Sequence, residues 1–456
     1  PTKAEYRAMI DAIPDLQIFT PGNNSVSPFI MNPFIPPEGI RIEKYIPSLY
    51  SAFRAAFSMP TPLDVTFLKA IRACYNRYGW RDYSMVGDPE VTPFGFHEFI
   101  LVFKEIIDRS DYSKEVKGNL RSGGILRLSN LIEQNRNIFD TIHTIPIEDL
   151  LTKPTVIELN AIDDIEQKAL IIAMLLINIA VYTKSSQIEN AELSKVILID
   201  EAHVLLDQRT IVKEDQINSQ NYAVQLVKNL IAEIRSYGTS IIIADQRPSA
   251  VGNAIVANTD TKVAFRLTEK KEKEIIGNST GMDDSMVQQL SQLEKGQAYV
   301  YDHKLMKPQM VMTPNIRSDV GIRIKVTDNE IQQRNTFWMD KARLLMPYSL
   351  CQYCCNSGCN FKIRADAEYF CNYIWDNIQS EVKDEESLRK RIYGVPVLLK
   401  NRLTKYVPKE QRTLINCIRI ALQRKGAIEK GIILHNVKVK NAMLNNHDDE
   451  VMGNVF

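Results

Sequence analysis

Two adjacent carboxylates at the end of an apolar run are the residues in this chain best placed to do chemistry. In Lys195-Val196-Ile197-Leu198-Ile199-Asp200-Glu201-Ala202-His203 four apolar residues lead directly into Asp200 and Glu201. A short unbroken apolar run predicts a strand buried on both faces, as in a parallel sheet. Ligands of open α/β sheets sit beyond the carboxyl ends of the strands, where this pair falls. An Asp at such a tip suits Mg²⁺ held through water. A Glu beside it is placed to orient or deprotonate a water that attacks a γ-phosphate. Without chemistry the same pair is simply a strand ending in two solvated carboxylates.

The elements that would position the pair follow in sequence. Ser240-Ile241-Ile242-Ile243-Ala244-Asp245-Gln246-Arg247-Pro248-Ser249 is a second apolar run ending in polar groups. Gln246 can contact a γ-phosphate or the attacking water, because its amide carries both a donor and an acceptor. Between the two runs, Val224, Leu226, Val227, Leu230, Ile231 and Ile234 recur at helical spacing, and Gly238 stands where a helix C-cap glycine belongs. Strand, helix, glycine and strand make a βαβ unit, so the fold class is α/β with a mainly parallel sheet. Thr155-Val156-Ile157-Glu158-Leu159 predicts a further buried strand, and Glu166 to Tyr182 the helix after it.

Leu198 to His203, Glu233-Ile234-Arg235-Ser236-Tyr237-Gly238 and Asp245 to Ser249 together resemble the HerA/FtsK superfamily of RecA-like ATPases, in its HerA branch. Phe265-Arg266-Leu267, Gly281-Met282 and Leu293-Glu294-Lys295-Gly296-Gln297-Ala298 continue the likeness. So do Glu5-Tyr6-Arg7, Phe19-Thr20-Pro21-Gly22-Asn23 and Asn32-Pro33-Phe34, and it covers residues 1–315. The resemblance implies a RecA-like P-loop NTPase core that hydrolyses ATP with Mg²⁺. Asp200 would be the Walker B aspartate holding the ion through water, Glu201 the activator of the attacking water and Gln246 the γ-phosphate sensor. Arg235 would reach the γ-phosphate of a neighbouring subunit, a task suited to a forked, permanently charged guanidinium. Its alternative is a helix-dipole partner near a C-terminus. Arg247 would support the sensor strand or a subunit contact and Arg266 an interface, while His203 is assigned no catalytic role. The resemblance further implies a homo-hexameric ring around duplex DNA that translocates or separates strands. Such a ring would act with a nuclease or another effector in DNA repair or phage defence.

One feature departs from that pattern. No G-x-x-x-x-G-K-[ST] occurs in the 456 residues, and the Gly-rich Arg121-Ser122-Gly123-Gly124-Ile125 lacks the Lys and the spacing. That loop supplies most of the grip on phosphate, so this chain alone is expected to bind nucleotide poorly and to be inactive. The expectation is a fragment whose upstream part carries the Walker A strand, loop and helix, with an unpaired sheet edge left behind. The rival readings are a catalytically silent scaffold ring for an effector, and a secretion or conjugation ATPase of the same superfamily.

Lys and Arg number 56 against 55 Asp and Glu, which excludes a global basic signal for nucleic acid and leaves local patches or a ring pore. The longest apolar stretch, Ala169 to Tyr182, is interrupted by Asn178 and reads as a buried helix too short to span a bilayer. The first residues lack the pattern of a signal peptide. A cytoplasmic protein without membrane contact is therefore expected. Seven cysteines do not make a disulfide scaffold. Cys351, Cys354, Cys359 and Cys371 have spacing workable for a structural Zn²⁺, the alternative being reduced, partly buried thiols.

The chain divides into an N-terminal piece of the ATPase core (1–40), a helical insertion (41–150), the RecA-like core with Walker B and sensor strands (151–315), and a helical C-terminal appendage with the Cys cluster (316–456). Within the appendage, helices are expected over Asp328 to Leu345, Phe361 to Gln379, Glu385 to Tyr393 and Glu410 to Lys425, a strand over Ile322 to Val326, and disorder from Asn445. The basic residues Arg412, Arg419, Arg424 and Lys425 read as phosphate contacts or as a solvated face.

Overall fold

The computed structural model describes residues 4–23, 26–88, 91, 93–141, 143–185, 192–206, 225, 227–230, 233–319, 325–334, 361–430 and 432. The α/β class is as expected. Two strands, β1 (Gln17–Phe19) and β2 (Thr155–Ile157), pair in parallel with Gln17 opposite Thr155. A second parallel pair is formed by β3 (Lys195–Asp200) and β4 (Thr239–Ala244), in the register Lys195↔Thr239 through Asp200↔Ala244. Beyond them β5 (Lys262–Ala264), β6 (Gln297–Tyr301) and β7 (Gln309–Met312) form an antiparallel sheet.

Between β1 and β2 the chain is helical, as the apolar stripes predict. Helix α1 (Ile42–Ala56) buries Ile42, Tyr45, Ile46, Leu49, Ala52, Phe53 and Ala56, spaced three and four apart. Helix α2 (Leu63–Arg77) buries Leu63, Phe67, Ala70, Ile71 and Cys74. The single helical stretch expected over Ile46 to Tyr78 is thus two helices, parted by Met59-Pro60-Thr61-Pro62, whose prolines cannot continue the first. Helix α3 (Phe96–Arg109) starts where the Gly95 N–H donates to Glu98 Oε2 at 2.8 Å, the Glu half of a capping box. Phe34 lies at the centre of the aromatic packing, with ring centroids 5.1 Å from Phe94, 5.2 Å from Phe96 and 4.9 Å from Phe99. The Gly-rich segment near residue 123 is a helical π turn (Arg121–Leu126). A Cβ on Gly124 would meet Phe103 Cε1 at 2.6 Å, so this glycine serves close packing.

Helix α4 (Ile165–Ser185) packs on α1. By length and composition it is apolar enough to cross a membrane, which corrects the expectation of a stretch too short to do so. Leu170, Ile171, Ala173, Met174 and Ile177 bury into the core that runs from Phe19 to Val256, and this burial accounts for its apolar composition. Helices α5 (Phe361–Ile378) and α6 (Pro408–Lys430) build a separate apolar cluster around Trp375, Leu414 and Ile418. The helix Glu385–Tyr393 lies as expected, capped by Asp384, which accepts from Ser387 N–H at 2.8 Å. The strand expected at 322–326 and the disordered tail fall wholly or mostly outside the described residues.

The expectation that β3 is buried on both faces is corrected. Ile197, Ile199, Ile241 and Ile243 face the core, but on the opposite face Val196 is 55%, Leu198 47% and Ile242 51% exposed. Parallel sheets are ordinarily covered on both sides. Here the described residues supply one cover only, and neither β3 nor β4 pairs with a third strand among them.

The N-terminal 3-10 helix (Ala4–Asp11) is locked to the end of β2 by charge. Arg7 Nε donates to both oxygens of fully buried Glu158 at 2.9 Å, and Nη1 reaches exposed Asp328 at 2.6 Å. Removing one partner of a buried pair leaves an uncompensated buried charge. Arg7→Met is therefore expected to destabilise the protein by about 3–5 kcal/mol, and Asp328→Ala by less than about 1 kcal/mol. Thermal unfolding of the two variants beside the parent checks this, and equal shifts would contradict it.

Candidate functional site at the β3 and β4 tips

Because β3 and β4 run in the same direction with Asp200 opposite Ala244, their next residues leave the sheet together at one edge. Glu201 follows β3, and Asp245 and Gln246 follow β4. Gln246 Nε2 donates to Glu201 Oε1 at 3.0 Å, closing the gap between the two tips. With the donor so used, the Gln246 amide oxygen remains as an acceptor for a water proton.

Glu201 is the one non-glycine with positive φ (+52°) among the described residues. This left-handed turn ends the strand and starts the short helix His203–Leu206, with Ala202 N–H donating to Ala244 C=O at 3.3 Å and Val204 N–H to Glu201 C=O at 3.0 Å. For a residue with a Cβ the conformation costs roughly 1–2 kcal/mol. Such strain is held where the surroundings over-determine it. Here they do: the imidazole Nδ1 of His203 lies 3.2 Å from Glu201 Oε2 and 2.9 Å from Asp245 Oδ2, and His203 N–H donates to the same Asp245 oxygen at 2.7 Å. Asp245 Oδ1 accepts from Arg247 N–H at 2.8 Å, and the side chain is 3% exposed. The ligand-type atoms of Glu201, His203 and Asp245 all lie within 4.8 Å of one another.

Asp200 ends β3 on the same side as Val196 and Leu198, half-buried. Its carboxylate is the hard oxygen donor that Mg²⁺ takes. Tyr6 approaches from the N-terminal 3-10 helix. Burial, then the Asp200 carboxylate, then Glu5 and Glu201, push its phenol above its ordinary range, so it stays protonated and able to donate. Tyr6, His203 and Asp245 lie within the sequence motifs but carry no role predicted from them. The available signal was Asp245 standing one residue before Gln246 at the same tip.

Of the sequence-predicted residues, the structure brings Asp200, Glu201 and Gln246 together. It does not bring Arg235 to them. Arg235 is exposed in the 3-10 turn (Arg235–Tyr237) that precedes β4, at the opposite end of the strand, six residues or roughly 20 Å away at ~3.3 Å per residue. Gly238, at φ +69°, ends that turn as expected. Of the proposed zinc ligands, Cys351, Cys354 and Cys359 lie outside the described residues, and Cys371 is buried in the α5–α6 cluster with Phe370, Trp375 and Cys417.

No protein-family model matches the chain. It is 26% identical over 117 residues to the DNA double-strand break repair helicase HerA of Sulfurisphaera tokodaii, covering 25% of this chain and 22% of that protein. It is 24% identical over 221 residues to HerA of Sulfolobus acidocaldarius, covering 47% of this chain and 42% of that one. The matches thus span less than half the length of either relative. Among solved structures, VirB4 of Thermoanaerobacter pseudethanolicus aligns over 73% of this chain and 82% of its own, with 15% identity and a TM-score of 0.47. Over part of its length, then, the chain is similar to HerA helicases, and this likeness stands beside the paired strand tips.

Proposed function

We propose that this chain provides the metal- and water-handling side of an ATP hydrolysis site in a homo-hexameric ring that translocates or unwinds duplex DNA. The observation that carries the reading is the Gln246–Glu201 hydrogen bond at 3.0 Å, which joins the two strand tips into one site. Asp200 would hold a Mg²⁺, which would supply charge neutralisation at the phosphate oxygens. Glu201 accepts the proton of the attacking water, and Gln246 orients that water through its amide oxygen. The exposed position of Arg235, at the far end of β4 from Asp200 and Glu201, agrees with service to a neighbour's γ-phosphate. The 456 residues contain no P-loop motif, the element that ordinarily grips the phosphates, so the proposal assigns this chain the metal and water side alone. The bare face of Val196, Leu198 and Ile242 leaves room for a covering helix beside the site. A nuclease or similar effector as partner, in repair or phage defence, belongs to the same proposal, and the relatives named for double-strand break repair support its repair side alone. A structural Zn²⁺ on Cys351, Cys354, Cys359 and Cys371 belongs to the same proposal, and native mass spectrometry reads it directly.

The test is ATP turnover by the full-length protein with and without linear duplex DNA. DNA-stimulated turnover is expected, and no turnover in either condition favours the silent scaffold. Glu201→Gln is expected to bind ATP yet hydrolyse it at least ~100-fold more slowly, and near-normal turnover removes Glu201 from the mechanism. Glu201→Gly should also abolish hydrolysis, yet raise thermal stability by up to about 1 kcal/mol as the left-handed strain is relieved. A melting temperature below that of the parent contradicts the strain.

A further inference from the structure

We propose that His203 and Asp245 are positioning residues that aim the Glu201 carboxylate at the attacking water. The proposal rests on the ATPase reading above and deepens it.

Three carboxylates converge where β3 and β4 end: Asp200, Glu201 and Asp245. Like charges this close repel, and the repulsion is strongest where water is excluded. Asp245 is the fixed point of the group. It is almost wholly buried, and two backbone N–H groups, from His203 at 2.7 Å and Arg247 at 2.8 Å, hold its two oxygens. His203 is fixed next, because its backbone N–H and its ring Nδ1 both address the same Asp245 oxygen. A ring N–H at this position lies between Asp245 Oδ2 at 2.9 Å and Glu201 Oε2 at 3.2 Å, so it screens one carboxylate from the other.

Glu201 is the last link. Its backbone is left-handed, so the alternation of the strand does not decide where its side chain points. Two contacts decide it instead, Gln246 on Oε1 and His203 on Oε2. A carboxylate has about four lone-pair sites, so the two contacts leave about two free to take the proton of water. Loss of the imidazole would free Oε2, remove the screen against Asp245 and let the carboxylate swing. A displacement of about 1 Å costs up to ~100-fold in rate without a comparable loss of binding.

The experiment is steady-state ATP turnover by the full-length protein carrying His203→Ala, His203→Asn, Asp245→Asn or Glu201→Gln, and the double variant His203→Ala/Glu201→Gln, with a melting curve for each. The Asn amide N–H comes close to the position of the ring Nδ1 and donates as it does. His203→Ala is expected to lower kcat about 10–100-fold, with KM for ATP within about threefold and little change in melting temperature. Asp245→Asn should fall in the same direction, and His203→Asn should recover most of the rate. In the Glu201→Gln background His203→Ala should add nothing, because it acts through Glu201. The proposal is overturned if His203→Ala turns over within about twofold of the parent, if its loss follows a fall in melting temperature that Asn does not repair, or if the two losses add. Turnover by Glu201→Gln at the parental rate would sink the underlying reading and this proposal together. A dead Glu201→Gln beside a fully active His203→Ala would sink this proposal alone.

Discussion

The parallel pairing of β3 with β4, in the register that sets Asp200 against Ala244, is the constraint on which the rest depends. Parallel strands end at the same edge, so residues more than forty positions apart in sequence emerge side by side. A slip of one residue would turn every side chain of β3 to the other face. Ile197 and Ile199 would leave the core, and Val196 and Leu198 would enter it. The register is therefore held by apolar burial along the strand, although its consequence is felt at the polar tip. The tip then adds its own bonds, through Ala202 N–H to Ala244 C=O and through Asp245 to the backbone of His203.

That burial belongs to a single apolar core that the sheet shares with the helices before and after β2. Helix α4, lying on α1, contributes Leu170, Ile171 and Met174 to the same cluster as Ile199 and Val227. Full burial of a Val, Leu or Ile side chain is worth about 1.5–3 kcal/mol. The exposed trio Val196, Leu198 and Ile242 therefore represents apolar surface that the described residues leave uncovered, ending at the carboxylate of Asp200. On such a sheet the covered face fixes geometry and the bare face leaves access to the tip.

Much of this was legible in sequence. Asp200, Glu201 and Gln246 were readable because each follows an unbroken apolar run, and strand direction alone then places them at one edge. The amphipathic stripes of α1, α2 and α3 gave the helices between β1 and β2. The same logic failed where it depended on partners far away in sequence. A run of four apolar residues predicts two buried faces, but whether a second layer exists is a tertiary fact. His203 was readable only as a packed or hydrogen-bonded histidine, because its partner Asp245 lies forty-two residues on and no residue type announces the left-handed turn at Glu201. The zinc expectation falls mostly on residues outside those described.

The N-terminal 3-10 helix shows how the site's negative charge is managed from outside the sheet. Arg7 is spent on Glu158 at the end of β2, so the buried carboxylate there is neutralised and the helix is held in one place. A buried pair of this kind is weak evidence for stability, since taking both charges out of water is costly, but it fixes a unique arrangement. What it fixes is Tyr6, the residue just before it in the chain. Set among Asp200, Glu5 and Glu201, the phenol has every reason to keep its proton. A neutral donor can face those carboxylates without competing for a divalent cation, whereas an arginine in its place would neutralise the charge meant to hold the ion. The division of labour is thus electrostatic. The permanent cation sits one residue away, tied to a carboxylate outside the tip cluster, and the uncharged donor faces the cluster itself.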